Sequence, residues 1–143
     1  MSLDVADLRS FYASPLGHVA RRFIGTAMLR FWPDCARQRV LGLGYATPYL
    51  SVLGMNAERV IAFMPAAQGV VNWPHQGLTA SALVEPTLLP LPTASIDRVV
   101  LVHALEETES PDDLIEEVGR VLSPGGRMIL VVPNRRGLWA RMD

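Results

Sequence analysis

The chain has 143 residues with a formal net charge of −1, and half of them are hydrophobic while 19% are charged. That length suits one domain that buries a core without disulfide or metal staples, and the near-neutral balance excludes a strongly basic nucleic-acid or anionic-membrane footprint. Cys35 is the only cysteine, which excludes an internal disulfide and a cysteine-rich zinc site. No charge-free apolar run of about 18 residues is present, and the opening MSLDVADLRS carries aspartates where a secretory leader would be basic and then apolar, so the expected compartment is the cytoplasm.

Val5, Leu8, Phe11 and Tyr12 fall on one helical stripe, and Ser14-Pro15 reads as a cap with proline at the first helical position. Leu16, Val19, Ala20, Phe23, Ile24, Ala27 and Phe31 follow at i, i+3, i+4, i+7 spacing. That is an amphipathic helix with Arg21, Arg22 and Arg30 on its opposite, solvated face, ended by Pro33. From Arg39 the period changes. Arg39–Leu43 reads as a short buried strand, Gly44-Tyr45-Ala46-Thr47-Pro48 as a turn, Tyr45–Met55 as a helix and Glu58–Phe63 as a second strand cut by Pro65. The proline-rich stretch Val70–Pro92 gives one strand near Leu78–Leu83 and otherwise loop.

Asp97–Val102 is a continuous apolar strand of the kind buried on both faces. Ser110-Pro111-Asp112-Asp113 starts a helix with a cap, a proline and first-turn acids, and Leu114, Ile115, Val118, Val121 and Leu122 form its apolar face. Ser123-Pro124-Gly125-Gly126 stops that helix, and Arg127–Val132 is a further buried strand closed by Pro133-Asn134. Strands alternating with helices imply an α/β fold with a doubly wound parallel sheet and right-handed crossovers. No repeat or linker interrupts it.

In such sheets ligands bind beyond the carboxyl ends of the strands, at the switch point of strand order. Gly42-Leu43-Gly44 sits at one such end, where glycine lets backbone approach a ligand or serves only a tight turn. A dinucleotide fingerprint would need glycine at Thr47 and an acid closing the second strand, where Phe63, Met64 and Pro65 stand. The lysine of a phosphate-binding loop is also missing. His18 and His75 are isolated and suggest no metal; Glu106, Glu107 and Glu109 read as a solvated loop, and Trp73 and Trp139 as packing or tail residues.

The order of strand, Gly-x-Gly turn, second strand, Leu89-Pro90-Leu91-Pro92-Thr93-Ala94-Ser95-Ile96-Asp97, apolar strand, helix and Arg120-Val121-Leu122-Ser123-Pro124-Gly125-Gly126 resembles the class I S-adenosylmethionine-dependent methyltransferases, closest to the type 11 branch. The resemblance runs from Val40 to Asn134. It implies a Rossmann-like core over 39–134, preceded by helices over 1–33 and followed by a stub over 135–143. It implies S-adenosylmethionine as cofactor, held by Gly42, Leu43, Gly44 and Tyr45, by Met64 and Pro65, and by Glu85 and Pro86. The family's acid-x-Gly-x-Gly-x-Gly motif here reads Gly42-Leu43-Gly44-Tyr45-Ala46-Thr47-Pro48, and the usual ribose-gripping acid aligns with Met64. Glu85 takes the place of the family's adenine-reading acid. His103 and Glu106 follow the fourth strand, where the family lines its methyl-transfer pocket, and His103 would be the catalytic base; the other reading is a histidine satisfied by backbone at a strand end.

The family sheet has seven strands, and this chain stops after the fifth, which suggests a shortened chain. The Arg127–Val132 edge would then be bare and open to self-association or a partner chain. The implied function is methyl transfer to a small-molecule acceptor; the alternative is a non-catalytic binding or assembly module that has lost efficient cofactor binding.

Overall fold

The computed structural model describes residues 5–65, 81–105 and 108–132. Trp73, His75, Glu106, Glu107, Trp139, the first residues of the strand expected near Leu78–Leu83 and the stub after 134 lie outside the described residues.

The elements run α1 (Val5–Ala13), α2 (Pro15–Phe31), β1 (Arg39–Gly44), α3 (Thr47–Leu53), β2 (Arg59–Pro65), β3 (Ser81–Val84), β4 (Ile96–Val102), α4 (Pro111–Val121) and β5 (Leu122–Val131). The strands form one sheet in the order β3-β2-β1-β4-β5, and every neighbouring pair is parallel. Parallel neighbours need long crossovers, and the helices between strands supply them. Two boundaries differ from expectation. Pro65 closes β2 instead of cutting it short, and the strand expected at Arg127 begins at Leu122, with the Ser-Pro-Gly-Gly turn absorbed as an irregularity between Ile96 and Arg98 of β4. Nor is Arg127–Val132 the buried strand expected: as the last strand of the sheet it has no fully buried residue.

The sheet divides the core into two layers because alternate strand residues point to opposite faces. On one face Val40, Val100 and Val102 pack with Leu8, Tyr12, Met28, Tyr49 and Leu50 from α1, α2 and α3 and with Trp32 just past α2. On the other, Leu41, Leu43, Val99 and Leu101 pack with Leu114, Val118 and Val121 of α4. Gly42 lies on the first face for want of room: a Cβ there would sit 2.6 Å from Leu50 Cδ1 and 2.8 Å from Ala46 Cβ. The close seating of α3 on β1 thus accounts for this glycine without a ligand.

The α2 helix corrects the sequence reading. Its buried residues are Gly17 and Met28, with Ala20 and Ile24 half-buried. Val19, Phe23 and Phe31 of the expected apolar stripe stand outward at 58%, 79% and 74% exposure. Periodicity identifies an apolar stripe, but the turn at Ser14, whose Oγ accepts from the Gly17 amide at 3.0 Å, sets how the helix is rotated on its neighbours.

Polar latches hold the amino end of the sheet and the flank of α4. Asp97 accepts from the Arg39 amide at 2.8 Å, from Arg39 Nε at 3.0 Å and Nη2 at 3.1 Å, and from Ser123 Oγ at 2.9 Å. These bonds tie the starts of β1, β4 and β5 together, and the Arg39 side chain holds the Asp97 carboxyl well below the usual carboxylate range. Glu117, nearly buried on α4, accepts from the Leu89 amide at 2.6 Å and from Arg120, pinning the 87–93 segment to the helix.

Candidate functional site at the carboxyl ends of the strands

The strand order reverses direction at the β1–β4 pair, so the switch point lies beyond Gly44 and Val102. Both strands leave the sheet through left-handed backbone there: Gly44 has φ +87° and His103 φ +54°. A Cβ on Gly44 would lie 2.2 Å from the Val102 carbonyl oxygen and 3.0 Å from Ala104 Cβ, and the Tyr45 amide donates to that same carbonyl at 2.8 Å. Only glycine fits this crossing. His103, a non-glycine residue in αL, carries a conformational cost of about 1 kcal/mol, and such strain gathers at functional sites.

The side chains above this turn form an aromatic cluster. Tyr12 of α1 stacks on Tyr45 with centroids 5.3 Å apart and meets Tyr49 and His103 edge-on at 6.1 and 6.0 Å. The Tyr12 hydroxyl lies 2.9 Å from the Tyr49 hydroxyl and 3.1 Å from His103 Nε2. Burial pushes the Tyr45 and Tyr49 hydroxyls up, and at Tyr49 the bond to Tyr12 adds to it. Both stay protonated at neutral pH. A chain of hydroxyls therefore runs from α3 through α1 to His103, and the imidazole tautomer sets its polarity. The sequence reading singled out His103 but not Tyr12 or Tyr49. These residues lie 37 and 91 positions apart from their partners, and no local pattern signals such a meeting.

The other expected site residues separate into backbone and side-chain roles. Leu43 and Met64 have fully buried side chains that belong to the core, so at these positions the backbone alone faces the strand ends. Pro65 ends β2. Glu85 is exposed just past β3, with Pro86 half-buried beside it. One Glu85 oxygen accepts from Thr87 Oγ1 at 3.1 Å, and the other makes no bond among the described residues. The structure thus brings Gly44, Tyr45 and His103 together at the switch point and sets Met64, Pro65 and Glu85 at the ends of the next two strands. Among the described residues no group of three histidine, cysteine or acidic side chains could hold a metal ion, and no helix is long and apolar enough to cross a membrane.

A parallel sheet in this order, with a glycine turn and a strained polar residue at the switch point, defines a Rossmann-like α/β protein. The family model of the methyltransferase domain, type 11, matches residues 39–130. The chain belongs to that family of S-adenosylmethionine-dependent methyltransferases, whose cofactor is S-adenosylmethionine. It is 32% identical over 106 residues to a probable S-adenosylmethionine-dependent methyltransferase of Mycolicibacterium smegmatis, a match covering 71% of this chain and 40% of that protein. Two solved structures share the fold. The [4+2]-cyclase SpnF superposes with a TM-score of 0.65 at 22% identity, over 82% of this chain and 46% of its own. An S-adenosyl-L-methionine-dependent methyltransferase structure from Methanococcus maripaludis gives 0.66 at 14% identity, over 91% and 64%. The chain spans less than half of the curated relative's length. A cyclase among the neighbours shows that the fold alone does not fix the reaction, which must be argued from the site.

Proposed function

We propose that this chain is the cofactor-binding part of a methyltransferase that acts on a small-molecule acceptor. The observation that carries the reading is the switch point itself, where the Gly44 turn and a strained His103 stand together with the Tyr12 hydroxyl 3.1 Å from the imidazole. The residues at the strand ends suit S-adenosylmethionine. Backbone at Gly42–Tyr45 and Met64–Pro65 would line it, and Glu85 with Pro86 would meet the adenine, the Glu85 carboxylate accepting from the exocyclic amine. Bound there, the cofactor supplies a methyl group on a sulfonium. No carboxylate stands at Met64 for the ribose hydroxyls, and losing one charge-assisted contact weakens binding about ten- to hundredfold.

The role of this chain's own residues is to position the acceptor and manage its proton. The Tyr12 hydroxyl, 3.1 Å from His103 Nε2 and 2.9 Å from the Tyr49 hydroxyl, holds the imidazole in place at the switch point. A histidine so positioned suits proton transfer with the acceptor. Alignment of the reacting atoms supplies the larger share of the rate. Calorimetric titration of S-adenosylhomocysteine into the protein tests the reading. Saturable binding that weakens about tenfold in Glu85→Ala supports it; an absence of heat at millimolar ligand sinks it.

The β5 edge belongs to the same proposal. Among the described residues β5 pairs only with β4, and Met128, Leu130 and Val132 are exposed. Another strand, from a second copy or a partner chain, would pair along Arg127–Val132. Light scattering checks this, since a strict monomer at high concentration contradicts the self-pairing form.

A further inference from the structure

The wall formed by Tyr12 and Tyr45 also borders a second space. A cavity of about 450 Å³ opens between the α1–α2 corner and α3, with Arg9, Tyr12, His18, Arg21, Tyr45 and Thr47 in its lining. Two guanidinium groups and an imidazole share it, and among the described residues no carboxylate lines it. Arg39 is paired with Asp97 and Arg120 with Glu117. Arg9, His18 and Arg21 make no ion pair among the described residues. Their charge is felt in the cavity wall. Burial pushes the hydroxyl of Tyr45 in that wall up, while Arg9 pulls it the other way, and Arg21 acts likewise on Tyr49 behind the wall.

Unpaired cations on one side and an aromatic surface on the other define a ligand chemistry. Guanidinium presents a planar fork of donors that matches the oxygens of a carboxylate or phosphate. The largely buried Tyr12 and Tyr45 rings, with Pro48 and the exposed Val52 beside them, give the cavity an apolar side. We propose that this cavity binds a small organic acid, a carboxylate or a phosphate ester, with its oxyanion between Arg9 and Arg21 and its body against Tyr12 and Tyr45. This goes beyond methyl transfer, because such binding needs neither cofactor nor acceptor. Tyr12 also contacts His103, so an acid seated in the cavity touches the side chain that positions the candidate base.

Titration of phenyl phosphate, benzoate and uncharged benzyl alcohol into the wild-type protein tests the inference. The two anions should bind saturably and more weakly as salt rises, because exposed charges are screened over about 10 Å at 0.1 M. The tighter of the two identifies the oxyanion. Arg9→Gln and Arg21→Gln should each weaken binding about five- to tenfold, and the double variant further, with the thermal midpoint unchanged. Arg30→Gln, on the same helix but outside this lining, should leave it unaltered. Three results would overturn the proposal: no anion binding at about 10 mM, equal affinity for benzyl alcohol, or an unchanged affinity in the double variant. Competitive displacement of phenyl phosphate by S-adenosylhomocysteine would overturn it too, since the cavity would then be part of the cofactor site. Tyr45 borders both sites, but Glu85 does not line this cavity, so the Glu85→Ala titration reads cofactor binding separately from a failure here.

Discussion

At the amino ends of β1 and β4, Asp97 accepts four hydrogen bonds from Arg39 and Ser123, joining three strands. At the carboxyl ends of the same two strands, Gly44 and His103 take left-handed backbone, and two arginines and a histidine line a cavity with no acid among its described lining residues. The first region holds ordinary backbone in place with closely matched charge. The second carries conformational strain and leaves polar groups pointed at open space. Stability is thus concentrated at one end of the sheet, and the other end keeps groups available for a ligand.

Four substitutions probe this division, in decreasing order of their effect on stability. Gly44→Ala places a methyl against the Val102 carbonyl and forces alanine into positive φ, so it should cost about 3 kcal/mol and remove cofactor binding together with the switch-point geometry; differential scanning calorimetry reads the first effect. Asp97→Asn should cost about 2 kcal/mol, since hydrogen bonds to a charged group contribute about 1.5–3 kcal/mol, yet leave affinity for S-adenosylhomocysteine unchanged. A strong loss of affinity in that variant would break the separation of the two ends.

The same residue sets a pH dependence. The folded-state pKa of Asp97 is depressed, chiefly by the Arg39 side chain, so its contribution is present above the unfolded value and lost as pH falls through and below about 4. Acid unfolding followed by circular dichroism should show this slope in the wild type and a shallower one in Asp97→Asn.

Tyr12→Phe removes the hydroxyl from the chain linking Tyr49 and His103 but keeps the ring stack, so it should cost about 1 kcal/mol. In a methyl-transfer assay it should lower kcat and leave cofactor affinity alone, and an unaltered kcat would reduce the hydroxyl chain to packing. Glu85→Ala should change stability by less than about 0.5 kcal/mol, as surface substitutions do, while weakening cofactor binding about tenfold.

Much of the scaffold was legible in the sequence for a simple reason. β1 and β4 carry continuous apolar patterns and their burial follows them; in α4 Leu114, Val118 and Val121 are buried as the period predicts, while Ile115 is exposed and Leu122 opens β5. The rotation of α2 was not legible, because two adjacent faces of that helix are apolar enough to pack and the contest is settled by the Ser14 corner and the seat of Met28. Glu117 reads as one more acid on an exposed helix face, yet it accepts a buried amide from a loop 28 residues away. In the site, the glycine turn and His103 were visible at strand ends. The reason for Gly42 was not, since it is set by the contact of α3 with β1. Tyr12 and Tyr49 were hidden for the same reason: residues distant in sequence meet only through the fold.

Hydrogen exchange of the backbone amides, with and without saturating S-adenosylhomocysteine, tests the division of the sheet most directly. The account predicts added protection at Gly44–Tyr45, at Glu85 and Thr87 and at His103–Leu105, with none at Arg39, Asp97 or Ser123. Protection confined to the amino ends, or none anywhere at ligand concentrations that saturate a related methyltransferase, would contradict it.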